Sequence, residues 1–410
     1  MIAPVSVVMV GIGGYGAEYV AALDRLPLEK IRLTGAVEPF PTRSCAEPGL
    51  SERQIPVFPS LEALFQAGCE ADLVVIASPI HHHISQSMLA LNHGCDVLCD
   101  KPLGASIQEA SALIRAREAS GHSVRIGYQW SYSEGIRSLK RDIQAGRFGG
   151  PIRMKSVCLW PRTLAYYRRN DWAGRLRDVT TGRWILDSPL NNALAHFLHN
   201  LFFLLGPAVG LSARPLEVTA EVCRVNSIES FDTVACRARA SGDVEVLFYG
   251  SHATQDSYGP RFELEFEEAI VAYKTPVGDV KDEISIEADG RRVGIYPSPN
   301  AGDHFAKLTE AVRAVTGNEP VECGPEAAAA QTLCMNGVHE SISEIPTVSS
   351  TLRRRSVQPD RYWIAGLDGD LRRCYERGVL PSEAGVSWAI KGQTIDLVNY
   401  DHFPTSENHA

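Results

Sequence analysis

The sequence predicts an α/β fold: a doubly wound parallel (Rossmann) sheet at the N-terminus, then an α+β domain with a large, mostly antiparallel open sheet. Three observations lead there. The apolar run Val7-Val8-Met9-Val10 passes directly into glycines at 11, 13 and 16. Strand-length apolar runs then alternate with helical segments as far as residue 126. Beyond that point strand signals follow one another and the regular alternation is lost.

The first domain, residues 1–126, takes strands near Val5–Val10, Arg32–Val37, Asp72–Ala77, Asp96–Cys99 and Ser123–Ile126, with helices between them. Pro27 closes the first helix, and Ser106-Ile107-Gln108-Glu109 reads as a capping box. The second domain, 127–345, begins with a helix over Glu134–Ala145 and a strand over Ile152–Trp160. An arginine- and aromatic-rich segment follows. Ser188 as N-cap and Pro189 as first helical residue then start a long helix to Leu205. Strands recur near Leu216–Arg224, Asp232–Ala240, Val244–Ser251 and Arg261–Tyr273, and Asp289-Gly290 suits a hairpin turn. Helices close the domain at His304–Thr316 and Pro325–Ser343. Residues 346–410 form an extension packed on the second domain, in which Val386–Val398 could supply a hairpin.

Composition narrows the function. With 44% hydrophobic and 22% charged residues in a chain of 410, two substantial cores are expected. A net charge of −9 argues against nucleic acid and anionic membranes as partners. No apolar stretch reaches membrane-spanning length, and no basic segment precedes the first strand. The ten cysteines are scattered without a C-x-x-C pair, which favours a reduced, cytoplasmic protein over a disulfide framework or structural zinc.

The loop Gly11-Ile12-Gly13-Gly14-Tyr15-Gly16 follows the G-x-G-x-x-G order that brings backbone N–H groups to a pyrophosphate. Glu38 ends the second strand, where a carboxylate accepts hydrogen bonds from ribose hydroxyls and repels a 2′-phosphate. NAD is therefore expected over NADP. Lys101 ends another strand, on the side where open α/β sheets bind ligands. The triplet His81-His82-His83 does not predict a metal, because successive side chains at a strand end diverge.

Ala77-Ser78-Pro79-Ile80-His81-His82-His83 and Val97-Leu98-Cys99-Asp100-Lys101-Pro102-Leu103-Gly104, with the glycine loop and Glu38, resemble the Gfo/Idh/MocA family of sugar and polyol oxidoreductases. Gly127-Tyr128-Gln129-Trp130 is similar to the family's entry into its second domain, and the resemblance runs over roughly residues 5–345. It implies cofactor contacts from residues 11–16, Glu38, Ser78, Pro79, His83, Asp100 (where the family has Glu) and Lys101. It places Lys101 against the reacting hydroxyl and Tyr128 and Trp130 on the substrate side. It also implies a homo-oligomer paired through the second-domain sheet.

The family's helix-start motif fits Gly182 to Asn200 in two registers. Read from the left, Asp187 matches and Asn191 stands at the histidine position. Read back from Gly206, His196 takes that position, followed by Asn192 and His199 as replacements. One continuous helix would put Asn192, His196 and His199 on a single face. His196 is favoured as the base, with Asp187 and Asn191 the alternative. Arg162, Tyr167 and Trp172 would form a substrate wall, aromatic faces on sugar C–H groups and arginine on an anion. Trp184 fits either a wall or a packing role.

The expected activity is NAD-dependent oxidation of a hydroxyl on a sugar, sugar derivative or cyclic polyol. The alternative is an NAD-retaining glycosidase that oxidises, eliminates, adds water and re-reduces, for which His199 and Tyr167 would be spare bases. A non-catalytic NAD-binding regulator would need neither Lys101 nor a polar helix face.

Overall fold

The computed structural model describes residues 4–405 except 28–29, 277, 279 and 318, so the last five residues of the C-terminal extension lie outside the described residues. Strands β1 (Val5–Val10), β2 (Ile31–Val37), β3 (Val57–Phe58), β4 (Leu73–Ile76), β5 (Asp96–Cys99) and β6 (Val124–Ile126) form one parallel sheet in the order β3-β2-β1-β4-β5-β6. β4 is buried along its whole length, as a strand covered on both faces must be. The order reverses between β1 and β4, which opens the crevice where such sheets bind ligands. Two expectations shift here. The two-residue β3 gives no periodic signal, and Ser106 does not cap its helix. Its hydroxyl donates to Glu109 at 2.9 Å, and Asn336 takes the Ile107 N–H instead.

The second sheet holds nine strands: β7 (Pro151–Leu159), β8 (Pro215–Cys223), β9 (Thr233–Ala240), β10 (Val244–Ser251), β11 (Tyr258–Phe266), β12 (Ile270–Lys274), β13 (Glu283–Ala288), β14 (Arg291–Pro297) and, after a two-stranded hairpin, β17 (Ile395–Asp396). All neighbours run antiparallel except β7 and β10. The expected strand Arg261–Tyr273 is two strands that turn between Phe266 and Ile270. Asp289-Gly290 makes the predicted turn, with φ of 51° and 68°.

One element of the 127–345 span returns to the first domain. Helix Ala306–Thr316 sends Leu308, Ala311 and Val312 into the core formed by Val7, Met9, Leu73 and Val75 of the parallel sheet. The long helix expected from Pro189 is broken. A 3-10 turn at Pro189–Asn191 and a helix at Ala195–Leu204 are separated at Asn192, whose φ of −145° and ψ of −104° fit neither.

The C-terminal extension covers the second sheet's outer face. Hairpin strands β15 (Arg353–Val357) and β16 (Asp360–Ile364) and helix Leu367–Arg377 bring Ile364, Leu367, Leu371, Tyr375 and Leu380 onto Val157, Leu159, Leu247 and Tyr249. The hairpin therefore lies at 353–364 rather than 386–398, where only β17 pairs, on the edge of β8. Among the described residues no helix is long and apolar enough to cross a membrane, and all ten cysteines are free thiols.

Candidate active site

The glycine loop is shaped by close backbone approach. Gly11 has φ +80°, and a Cβ there would stand 2.9 Å from the Ala77 carbonyl oxygen. A Cβ on Gly16 would lie 2.0 Å from the Gly11 carbonyl, so the helix can start here only without one. Space over Gly13 is open, with Glu38 Oε2 as the nearest atom at 3.8 Å. Glu38 accepts the N–H groups of Ile12 at 3.3 Å and Phe40 at 3.2 Å, which holds its carboxylate at the loop. An open cradle of loop amides beside a carboxylate fits a dinucleotide's pyrophosphate and ribose. Ser78 donates to Gln86 beside Pro79 at the end of β4.

Lys101 follows β5, and its Nζ donates to the Asn192 main-chain carbonyl at 2.8 Å. The helix break leaves that carbonyl only a long backbone bond, from the Ala195 N–H at 3.4 Å. Asn side chains compete with helical backbone bonding, and Asn192 does so here by donating Nδ2 to Asp187 Oδ1 at 2.7 Å. The second oxygen of Asp187 accepts the Gly174 N–H at 2.6 Å. Leu186 just before it takes φ +51°, a left-handed conformation that costs a non-glycine residue about 1–3 kcal/mol and helps fix where Asp187 points. Burial raises the Asp187 pKa against those two bonds. Burial also lowers Lys101, to about 8, with Asp100 opposing and a second ammonium, Lys307, assisting.

His196 stands in the same electrostatic neighbourhood. Burial, then Lys101 and Lys307, hold its pKa well below the usual value, so the imidazole is neutral, and its Nδ1 is buried without a partner. Its ring meets Tyr128 edge-on at 5.7 Å.

The structure thus gathers Lys101, Asp187, Asn192 and His196, drawn from both registers. Several expected site residues do not join them. Asn191 is fully buried and donates to the Ile185 carbonyl at 3.1 Å, supporting the turn from below. His199 leaves the face of His196, stacking on Tyr128 at 3.9 Å and pairing Nε2 with Ser131 Oγ at 3.0 Å. Burial lowers it to about 3. Tyr128 is a buried prop that donates to Gln331, and Trp130 packs in the core against Phe197, Phe262 and Tyr273 while donating to Asn300. Both are buried, because the segment turns inward as it enters the second domain.

His83 and Asp100 are both tied into the protein frame. His83 places Nδ1 2.8 Å from the Pro102 carbonyl and Nε2 2.9 Å from the Ser78 carbonyl. Both contacts need a donor, which only the imidazolium supplies, while burial pulls the other way. Asp100 accepts from Tyr19 at 2.9 Å and from Lys307 at 3.0 Å, and these cationic and hydroxyl partners hold its carboxyl below the usual range despite burial.

Lys307 was invisible as a site neighbour in the sequence, because it acts across 207 residues of chain. Its Nζ also reaches Tyr15 and the Gly127 carbonyl, each at 3.3 Å, while Tyr15 pairs with His304 Nε2 at 2.7 Å. Tyr15 therefore ties the glycine loop to the segment entering helix Ala306–Thr316.

Tyr167 does stand near Asp187, and Arg162 reaches the neighbouring Tyr166. Tyr166, Tyr167, Asp187 and His252 line one crevice, and the Arg162 guanidinium lies 4.8 Å from the Tyr166 ring. Trp172 meets Arg169 at 5.3 Å. Trp184 lies elsewhere, in a cavity of about 320 Å³ shared with Phe231, His339 and Phe403 whose lining includes neither Lys101 nor Asp187. Among the described residues no group of three His, Cys, Asp or Glu side chains is arranged to hold a metal.

Comparison with known proteins agrees with this frame. Residues 5–128 match the model of the oxidoreductase family with an NAD-binding Rossmann fold, Gfo/Idh/MocA. Inositol 2-dehydrogenase of Burkholderia cenocepacia (strain HI2424) is 26% identical over 200 residues, 48% of this chain and 53% of that protein. Inositol 2-dehydrogenase 1 of Saccharopolyspora erythraea is 27% identical over 128 residues, 30% of this chain and 38% of that protein. The match thus spans about half or less of the length of these relatives. The WlbA dehydrogenase of Bordetella pertussis, solved with NADH and UDP-GlcNAcA, shares the fold at a TM-score of 0.66 and 17% identity, over 83% of this chain and 98% of that one. A putative myo-inositol dehydrogenase of Sinorhizobium meliloti 1021 does so at 0.59 and 17% identity, over 82% and 98%. The likeness to the Gfo/Idh/MocA oxidoreductases is thus carried in sequence by the dinucleotide-binding domain, residues 5–128.

Proposed function

We propose that the protein is an NAD-dependent dehydrogenase acting on a hydroxyl-bearing carbon of a sugar, sugar derivative or cyclic polyol. The observation that carries this reading is the Lys101 ammonium held on the Asn192 carbonyl, at the sheet's carboxyl end and beside Asp187 and His196. Likeness to inositol dehydrogenases in sequence, and in fold to a nucleotide-sugar dehydrogenase, supports it.

Bound NAD would supply the hydride acceptor, held by the residue 11–16 amides and by Glu38 at the ribose. Lys101 would hydrogen-bond the substrate oxygen and stabilise negative charge as it develops there. A pKa near 8 lets Lys101 share that proton near neutral pH. His196, kept neutral, would receive the hydroxyl proton. Asp187 acts one step back: through Asn192 it fixes the carbonyl that aims Lys101.

The test is titration of the protein with NAD and NADP, followed by reduction of added NAD with inositols, hexoses and their derivatives. Tighter binding of NAD, lost in Glu38→Ala, with turnover on any of these hydroxyl compounds, is the expected result. Equal affinity for both cofactors in the wild type would refute the role of Glu38. Cofactor that binds but is never reduced across the panel would count against dehydrogenase activity.

A further inference from the structure

We infer that the substrate carries an anionic group, a carboxylate or phosphate, received by Arg162 and Arg169, both of which meet the Tyr166 ring. This rests on the dehydrogenase reading of the same site. The Tyr166 ring carries the Arg169 guanidinium at 3.6 Å and the Arg162 guanidinium at 4.8 Å from its centre. Two like charges sharing one ring repel each other, and such an arrangement usually recruits a carboxylate. Among the described residues neither arginine has one. Arg162 Nε is shut off from water without any acceptor, and the Arg169 guanidinium donates to the Tyr166 main-chain carbonyl.

The balance of charge nearby points the same way. Arg169 acts on Lys101 and Asp187, and Arg162 acts on His252, so both fields extend into the site. Of the residues lining the crevice beside Tyr166, Asp187 alone is a carboxylate, and its oxygens are already engaged by Gly174 and Asn192. Lys101, Arg162 and Arg169 therefore bring three positive charges, while Asp187 is committed and Asp100 is engaged by Lys307 and Tyr19. A planar guanidinium fork matches carboxylate or phosphate oxygens in pairs, with Arg162 half-buried and Arg169 exposed at the mouth. Stacking on Tyr166 fixes the fork before the ligand arrives, which reduces the ordering cost of binding. A bound anion would also offset the cationic part of what lowers the His196 pKa, Lys101 and Lys307 acting after burial, and so make it a better proton acceptor once substrate is in place.

The experiment is calorimetric titration of NAD-loaded protein with glucose, glucuronate, glucose 6-phosphate and inorganic phosphate. Glucuronate and glucose 6-phosphate present one ring with different anions, so their ranking separates carboxylate from phosphate. The charged sugars are expected to bind at least tenfold more tightly than glucose, and inorganic phosphate to bind weakly at the same place. Arg162→Gln and Arg169→Gln should each remove most of that advantage while NAD affinity stays unchanged, and Arg169→Lys should retain part of it. Glucose binding as tightly as the charged sugars, an advantage that survives both glutamine variants, or no binding of any anion by NAD-loaded protein would overturn the inference. Failure to load NAD at all would instead count against the dehydrogenase reading.

Discussion

The Lys101 ammonium meets the Asn192 carbonyl at 2.8 Å, joining the end of a parallel strand to a break in the second domain's helix 91 residues away. An unbroken helix would have spent that carbonyl on its own hydrogen-bond ladder. The bond therefore depends on Asn192 leaving helical geometry, which the Asp187 carboxylate secures.

Replacing Lys101 by Ala should lower turnover by about a hundredfold or more with little change in NAD affinity. In the wild type, oxidation should slow as pH rises through about 8, where Lys101 loses the proton that steadies the substrate oxygen, and that limb should vanish in the variant. The same residue bears on stability. The folded protein binds this proton less tightly than the unfolded chain, so Lys101 weakens the fold below pH 8, and the penalty fades as pH rises from 8 toward the ordinary lysine value of 10.5. Rate–pH profiles and urea midpoints of both proteins check this.

His196→Ala and Asn191→Ala should separate chemistry from support. The first should cost a hundredfold or more in turnover with a small change in melting temperature. The second removes a fully buried donor from the Ile185 carbonyl and should cost about 1–3 kcal/mol of stability. Loss of turnover in a stable Asn191→Ala protein would restore the alternative register.

Much of this was legible in the chain. The runs Val5–Val10, Asp96–Cys99 and Val244–Ser251 are strands with the bounds their apolar patterns suggest. Lys101, Asp187 and His196 stand out as polar groups at element ends or in apolar surroundings. The break at Asn192 was hidden, because a helix-start signal and an apolar run on either side look continuous. Arg354 and Arg355 conceal β15, since a strand lying on the surface lacks alternation. The following helix did offer a signal in Leu367, Leu371, Cys374 and Tyr375, which are spaced as one buried face. Lys307 and the arginines around Tyr166 depend on long-range packing that no local pattern encodes.

Lys307→Met should strand the Asp100 carboxylate in a buried site and cost about 3–5 kcal/mol. With Lys307 gone, Asp100 would act on Lys101 uncompensated and move the pH limb of turnover upward. Pairing the change with Asp100→Asn should recover part of the stability. Thermal melts and rate–pH profiles of the single and double variants measure both effects.

Acid should unfold the protein earlier than its surface charge suggests. Burial lowers His199 and His252 to about 3 each. Unfolded histidines take up protons near pH 6.5, so the unfolded state gains on the folded one as pH falls from 6.5 toward 3. The loss approaches about 1.4 kcal/mol per pH unit for each histidine. Urea midpoints at intervals from pH 7.5 to 4.5 should fall accordingly, and a flat profile would contradict neutral burial of these rings.

The extension over β7, β9 and β10 has a consequence for how copies of this chain can meet. Docked in place, residues 352–389 act as a permanent in-house partner for the middle of the second sheet. The apolar side chains still offered outward are Ile270, Val293 and Ile295 at its β12–β14 margin, 42%, 60% and 56% exposed. Any second copy docking on this face would have to meet that margin rather than the covered centre. A chain lacking the extension would present a sticky strip of Val157, Leu159, Leu247 and Tyr249, the kind of surface that drives uncontrolled self-association.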